Sequence, residues 1–261
     1  MVLFFTLPPD SIAYPYVLVN ANNPEHGLSY IKKHVGDVRK VIVDSGVEMF
    51  RDPRVKDYPE GWIAKLKTLY MRVKSLLPKA EVYATVPDYP DDYHPKSLWI
   101  HDKITNVERT VENILHATEK YPNVKWLIPI QGHYMKPRSV VRTLVLLREH
   151  EWNFGKYDYY AVANLCTEVH TMVLRHTVAH VYGWFMENLG YVPRLHVFGP
   201  KIKALPYIKR YIYSFDSMAW TRPVNQKLHR KHPYSAKNTE QRKLFFMEYL
   251  KHLKQQGVVT E

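Results

Sequence analysis

Lys40-Val41-Ile42-Val43-Asp44-Ser45-Gly46 is the stretch that decides the fold. Three consecutive β-branched residues form a strand with no polar alternation, as expected where a strand is covered on both faces in a parallel sheet. The run stops at Asp-Ser-Gly, residues that favour turns and helix starts. The same design recurs along the chain. Short apolar runs occupy 2–7, 16–20, 81–86, 126–130, 159–163, 194–198 and 211–215. Helical patterns fill the gaps. Trp62, Ile63, Leu66, Leu69, Tyr70, Val73 and Leu77 share one stripe, as do Ile104, Val107, Val111, Ile114, Leu115 and Thr118. Thr105 and Glu108 have capping-box spacing, and Lys136-Pro137 places a proline where a helix begins. Further helices are expected at 27–35, 138–150, 168–189 and 240–254, with a shorter one at 202–209.

Strand–helix alternation over eight strands predicts an α/β fold, a (β/α)8 TIM-like barrel in a single domain. Residues 1–222 would form the barrel, and 223–261 a basic loop and C-terminal helix completing it. One connection is too short for this scheme. About eight residues separate the first two strands, where a parallel crossover needs a dozen or more. Either the first strand is not a stave, or segment 8–15 crosses without a helix. An open doubly wound sheet is the alternative, but no GxGxxG or P-loop accompanies it.

The chain carries 37 Lys and Arg against 25 Asp and Glu, a formal charge of +12. The excess is concentrated from Lys201 onward, with thirteen basic and four acidic residues. That favours a polyanionic partner, most simply nucleic acid. Lys201, Lys203, Arg222, Arg230 and Lys231 are candidate phosphate contacts, interleaved with aromatic residues as nucleic-acid surfaces often are. The single cysteine, Cys166, excludes a disulfide framework and a cysteine-rich zinc site. The opening residues have neither a basic leader nor an apolar run long enough for a signal or membrane span. The expectation is a cytoplasmic protein with no membrane partner. A homodimer is compatible with the sequence.

In a (β/α) barrel, chemistry gathers where strands end. The strand-like runs end in Asp44-Ser45-Gly46, Asp88, Gln131-Gly132, Asn164-Leu165, Gly199-Pro200 and Asp216-Ser217. Three carboxylates and two amides would converge on one rim.

These segments, in this order, resemble the tRNA-guanine transglycosylase family and its DNA-modifying relatives. The family's Asp-Ser-Gly-Gly segment is similar to Asp44-Ser45-Gly46-Val47, and its Val-Gln-Gly-Gly segment to Ile130-Gln131-Gly132-His133. Its nucleophile segment, Phe-Asp-x-x-x-x-Thr-Arg, is matched at equal spacing by Phe215-Asp216 through Thr221-Arg222. The resemblance implies base exchange without a cofactor. Asp216 would be the nucleophile at C1′ and Asp44 the general acid/base. Asp88 would accept both guanine donors, and Gln131 would donate to O6. Ser45, Gly46, Gly132, Asn164 and Leu165 would complete the base pocket, with Tyr89, Tyr134 or Met218 sandwiching the ring. The target nucleotide would be flipped or single-stranded.

The chain departs from the family in lacking its zinc cysteines; His229 and His232 and many cations occupy that shortened segment. The departure favours DNA over tRNA as substrate, with a 7-deazaguanine base as the small-molecule partner. Two other readings compete: a carboxylate glycosidase or nucleosidase that hydrolyses, and a non-catalytic nucleic-acid-binding protein of the same fold. His176 and His180 share a helix face, but no Glu follows His176 as a zinc-protease pattern requires, so packing or solvent contact is the expectation. Asp91 and Asp92 read as a proline-broken turn.

Overall fold

The computed structural model describes residues 2–91, 104–165, 170–221 and 238–259. Eight parallel strands run in the order β1-β8-β7-β6-β5-β4-β3-β2. They are β1 Leu3–Phe5, β2 Tyr16–Asn20, β3 Lys40–Asp44, β4 Glu81–Thr85, β5 Trp126–Ile130, β6 Tyr159–Val162, β7 Arg194–Val197 and β8 Ser214–Asp216. A parallel bridge between Thr6 and Val17 joins the two ends of the sheet. The amide of Leu18 donates to the carbonyl of Thr6 at 2.8 Å across this seam. The predicted (β/α)8 barrel is therefore the observed fold.

Helices α1 Pro24–Lys33, α2 Trp62–Leu76, α3 Asn106–Lys120, α4 Val141–Glu149, α5 Thr171–Leu189 and the single turn α6 Leu205–Ile208 lie between strands. The Thr105–Glu108 capping box opens α3. Pro137 begins a 3-10 turn, Pro137–Val140, ahead of α4. Among the described residues no helix is long and apolar enough to cross a membrane.

The short first connection is resolved in favour of a helix-free crossing. Residues 7–15 run from β1 to β2 with no helix; about nine extended residues reach some 30 Å, ample for the height of a barrel. The vacant helix position is filled by the last helix, α7 Thr239–Gln255. Phe4 of β1 packs on Tyr249 at 5.4 Å, and Tyr14 and Trp220 meet Phe246 edge-on at 5.4 Å. Beyond α7 the carbonyl of Val258 accepts from the amide of Val2 at 3.2 Å.

Strand periodicity sorts each strand into two layers. Val41 and Val43, Val82 and Ala84, Leu195 and Val197, and Phe215 face outward under the helices. Leu3, Phe5, Ile42, Tyr83, Leu127, Tyr159 and Ala161 fill the interior. The inward positions of β3, β7 and β8 are thus Lys40-Ile42-Asp44, Arg194-His196 and Ser214-Asp216.

Candidate active site

The interior is layered by charge. At the N-terminal end, Glu81 accepts from Lys40 at 2.5 Å and from Arg194 at 3.0 Å. Burial works against the charged form of Glu81, but bonds from Lys40, Tyr83 and Arg194 prevail and hold its pKa at about 2. This is a structural plug, remote from the strand ends where a barrel does chemistry.

Above it a chain of polar groups rises through the fully buried centre. Tyr159 is hydrogen-bonded to Ser214, Ser214 Oγ lies 2.7 Å from His196 Nδ1, and His196 Nε2 lies 3.0 Å from Asp216 Oδ1. Burial pushes the Tyr159 phenol up, so it keeps its proton. One proton order satisfies every member: Tyr159 O–H to Ser214, Ser214 O–H to His196 Nδ1, and His196 Nε2–H to Asp216. The Gly199 amide adds a second donor to the same Asp216 oxygen at 3.1 Å. Among the described residues, Oδ2 of Asp216 has no partner, and the side chain lines the cleft.

That cleft, about 590 Å³, opens at the C-terminal ends of the strands. Asp44, Asp88 and Asp216 all line it, with Ser45, Asn164, Phe198 and Met218. It is large enough for a small-molecule or base site. Asp44 is the last residue of β3, half-buried at the cleft floor. Burial first, and then the charges of Asp216, Asp88 and Glu48, push its pKa up to about 8, against one amide bond from Gly46 that lowers it. At neutral pH Asp44 therefore keeps its proton, beside a wall that also carries Asp88 and Asp216. Gly46 makes that amide available by adopting φ +87°, where a Cβ would also meet Asn22 Oδ1 at 2.8 Å. Asp88 is buried; Ser45 Oγ donates to it at 3.2 Å and Tyr58 donates to its backbone carbonyl at 2.8 Å.

Other expected residues fall elsewhere. Gln131 is fully buried and does not line the cleft; its amide nitrogen donates to the carbonyls of Tyr89 and Asn106 at 2.8 Å and to Thr110 at 2.7 Å. That nitrogen is committed to the protein's own groups in this arrangement. Gly132 packs where an added Cβ would meet Val140 N at 2.4 Å, and its carbonyl accepts from Asn164. Asn164, at φ 61°, lines the cleft, but its side chain bridges Gly132 and the amide of Asp91. Leu165 is buried outside the cleft. Of the three sandwiching candidates only Met218 lines it. Tyr89 is buried under the Arg109 guanidinium at 3.5 Å, and Tyr134 donates its amide to Asp91 at 2.8 Å.

Lys201 and Lys203 are exposed just beyond β7 at the cleft end of the barrel. Arg222, Arg230, Lys231, Cys166, His229, His232 and Asp92 lie outside the described residues. Among the described residues no three His, Cys, Asp or Glu side chains come together as metal donors.

Sequence reasoning passes over His196, Ser214 and Tyr159. The signal is present: Arg194 and His196 alternate with Leu195 and Val197, as Ser214 and Asp216 flank Phe215, so both strands turn polar groups inward.

No protein-family model matches the chain. No curated protein matches it. Among solved structures it is similar to a carboxyl transferase domain of Rhizobium etli pyruvate carboxylase with pyruvate, at 10% identity and a TM-score of 0.43. That similarity covers 98% of this chain and 48% of the other, so this chain spans about half its length.

Proposed function

We propose that this barrel exchanges guanine in nucleic acid, DNA in preference to tRNA, for a 7-deazaguanine base through a covalent bond to Asp216. The observation that carries the reading is the pairing of two unlike carboxyls in one cleft: Asp44 protonated at neutral pH, and Asp216 fixed through one oxygen. The Asp216 Oδ2 attacks C1′ as the C1′–N9 bond breaks, and the bonding pair leaves with guanine. Asp44 gives its proton to the departing base. The incoming base then returns a proton to Asp44, its N9 attacks C1′, and the Asp216 ester bond breaks. The charge on the sugar at each step is of the kind that carboxylates stabilise in retaining glycosidases. Asp88, held by Ser45, faces the paired donors of the base edge, and Phe198 and Met218 supply apolar surface for its ring.

The test is incubation with guanine-labelled DNA or tRNA and a panel of 7-deazaguanine bases, followed by mass spectrometry of the nucleosides. Exchange into DNA is expected, and Asp216→Asn abolishes both guanine release and the protein–nucleic-acid adduct. Release without replacement identifies a hydrolase instead. Release by Asp216→Asn at the wild-type rate ends the proposal.

A further inference from the structure

With Asp44 protonated, the described lining of the cleft still sets Asp88, Asp216 and Glu48 against Arg51, a net negative wall that repels a polyanion. If a nucleotide is to enter it, cations beyond the cleft must hold the flanking phosphates. The loop after β5 and the first turns of α5 supply such a group. Lys136, Arg138, His176 and His180 surround a crevice of about 480 Å³. Lys136, Arg138 and His176 are exposed and His180 is half-buried, and none of the four has a carboxylate partner among the described residues. The contrast is with Arg142, one turn further on, which is 3.7 Å from Glu149.

The crevice neighbours the cleft on the same rim: Ala163 and Asn164, which line the cleft, and Lys136, which lines the crevice, border one small void of about 10 Å³ between them. The charges of His133 and Lys136 reach Asp91, whose amide is held by Asn164 at the cleft wall. At the far end, burial and then the charges of Arg138 and His176 disfavour protonation of His180. His180 is therefore neutral at neutral pH and would meet a phosphate as an N–H donor, with Lys136 and Arg138 supplying the charge.

We propose that the Lys136–Arg138–His176–His180 crevice is a phosphate subsite for single-stranded nucleic acid, seating a backbone phosphodiester next to the nucleotide in the cleft. The chain would leave the cleft over Asn164 and meet Lys136 first, then Arg138 and the two imidazoles. This rests on the nucleic-acid reading above but not on the reaction.

The experiment is fluorescence anisotropy of a short fluorescein-labelled single-stranded oligodeoxynucleotide with the full chain across a salt series. Lys136→Gln combined with Arg138→Gln is expected to weaken binding about tenfold. The slope of log affinity against log salt should flatten by about 1.4, the change for two phosphates left unneutralised. Lys32→Gln with Lys33→Gln, an equal loss of charge at the exposed end of α1 on the opposite face, leaves both unchanged. His176→Asn with His180→Asn weakens binding in the same direction. Equal losses in the two lysine-containing doubles, no loss in Lys136→Gln/Arg138→Gln, or no binding by the wild-type chain overturns the subsite. Binding through these cations without any base exchange sinks the proposed reaction and leaves the subsite standing. Exchange with an unaltered salt slope in Lys136→Gln/Arg138→Gln does the reverse.

Discussion

Replacing Asp44 by Asn is expected to stabilise the protein at neutral pH while abolishing the proposed base exchange. The folded carboxyl has a pKa of about 8, against an ordinary value of 3.8. Between those values the folded chain keeps a proton that the unfolded chain has released. Stability from this group is therefore complete below about pH 4 and declines as pH climbs toward 8. At pH 7 the loss spans about three pKa units, roughly 4 kcal/mol at ~1.4 kcal/mol per unit. Asparagine keeps the shape of the protonated acid, has nothing to ionise, and can still accept from Gly46. The variant should match the wild type near pH 4 and exceed it by about 2–4 kcal/mol at pH 7, some 5–10 °C in Tm for a domain of this size. Urea and thermal unfolding of both proteins at fixed ionic strength, from pH 4.5 to 8, measures the difference. A difference that stays flat with pH, or a variant less stable at pH 8, refutes the reasoning.

His196→Ala strips a buried partner from Asp216 and Ser214 and should cost about 2–4 kcal/mol in urea unfolding. It should also slow adduct formation in single-turnover assays, with His196→Gln recovering part of the rate; an unchanged adduct rate in the alanine variant refutes the positioning role. Glu81→Gln acts in the other pH direction. Its carboxyl is held below its ordinary range, so its contribution is present above about pH 4.5 and disappears as pH falls toward 2. With partial solvent screening the variant should lose about 1–2 kcal/mol at pH 7 and almost nothing near pH 2, read from acid unfolding curves. Gly132→Ala forces a methyl against the Val140 amide and the Ser139 carbonyl carbon. A drop of at least about 2 kcal/mol is expected from the resulting backbone shift, measured by thermal unfolding.

The strands are legible in the sequence because both of their faces are covered, which turns a stave into an apolar run that no helix pattern imitates. The barrel interior is legible only at its rim. Asp44 and Asp216 end their strands facing inward, so position and parity agree. Gln131 lies one residue beyond β5, where parity lapses, and is captured by carbonyls 25 and 42 residues away that no local pattern encodes. β8 is shorter than its apolar run, since Tyr211 and Ile212 pack against the helices without joining the ladder. The helix-free crossing from β1 to β2 depends on a helix more than 220 residues downstream covering the gap, a long-range relation that spacing alone cannot express.

With Val2 and Val258 hydrogen-bonded at the start of β1, both described ends of the polypeptide meet on the floor of the barrel, facing away from the cleft. A brief tether between them would make a circular protein with every ladder intact. That circle could be opened again at a helix-to-strand turn on the same floor, between α2 and β4 for example. A linker joined at Val2 or Val258 would lie on that floor, on the side of the barrel away from the mouth of the cleft.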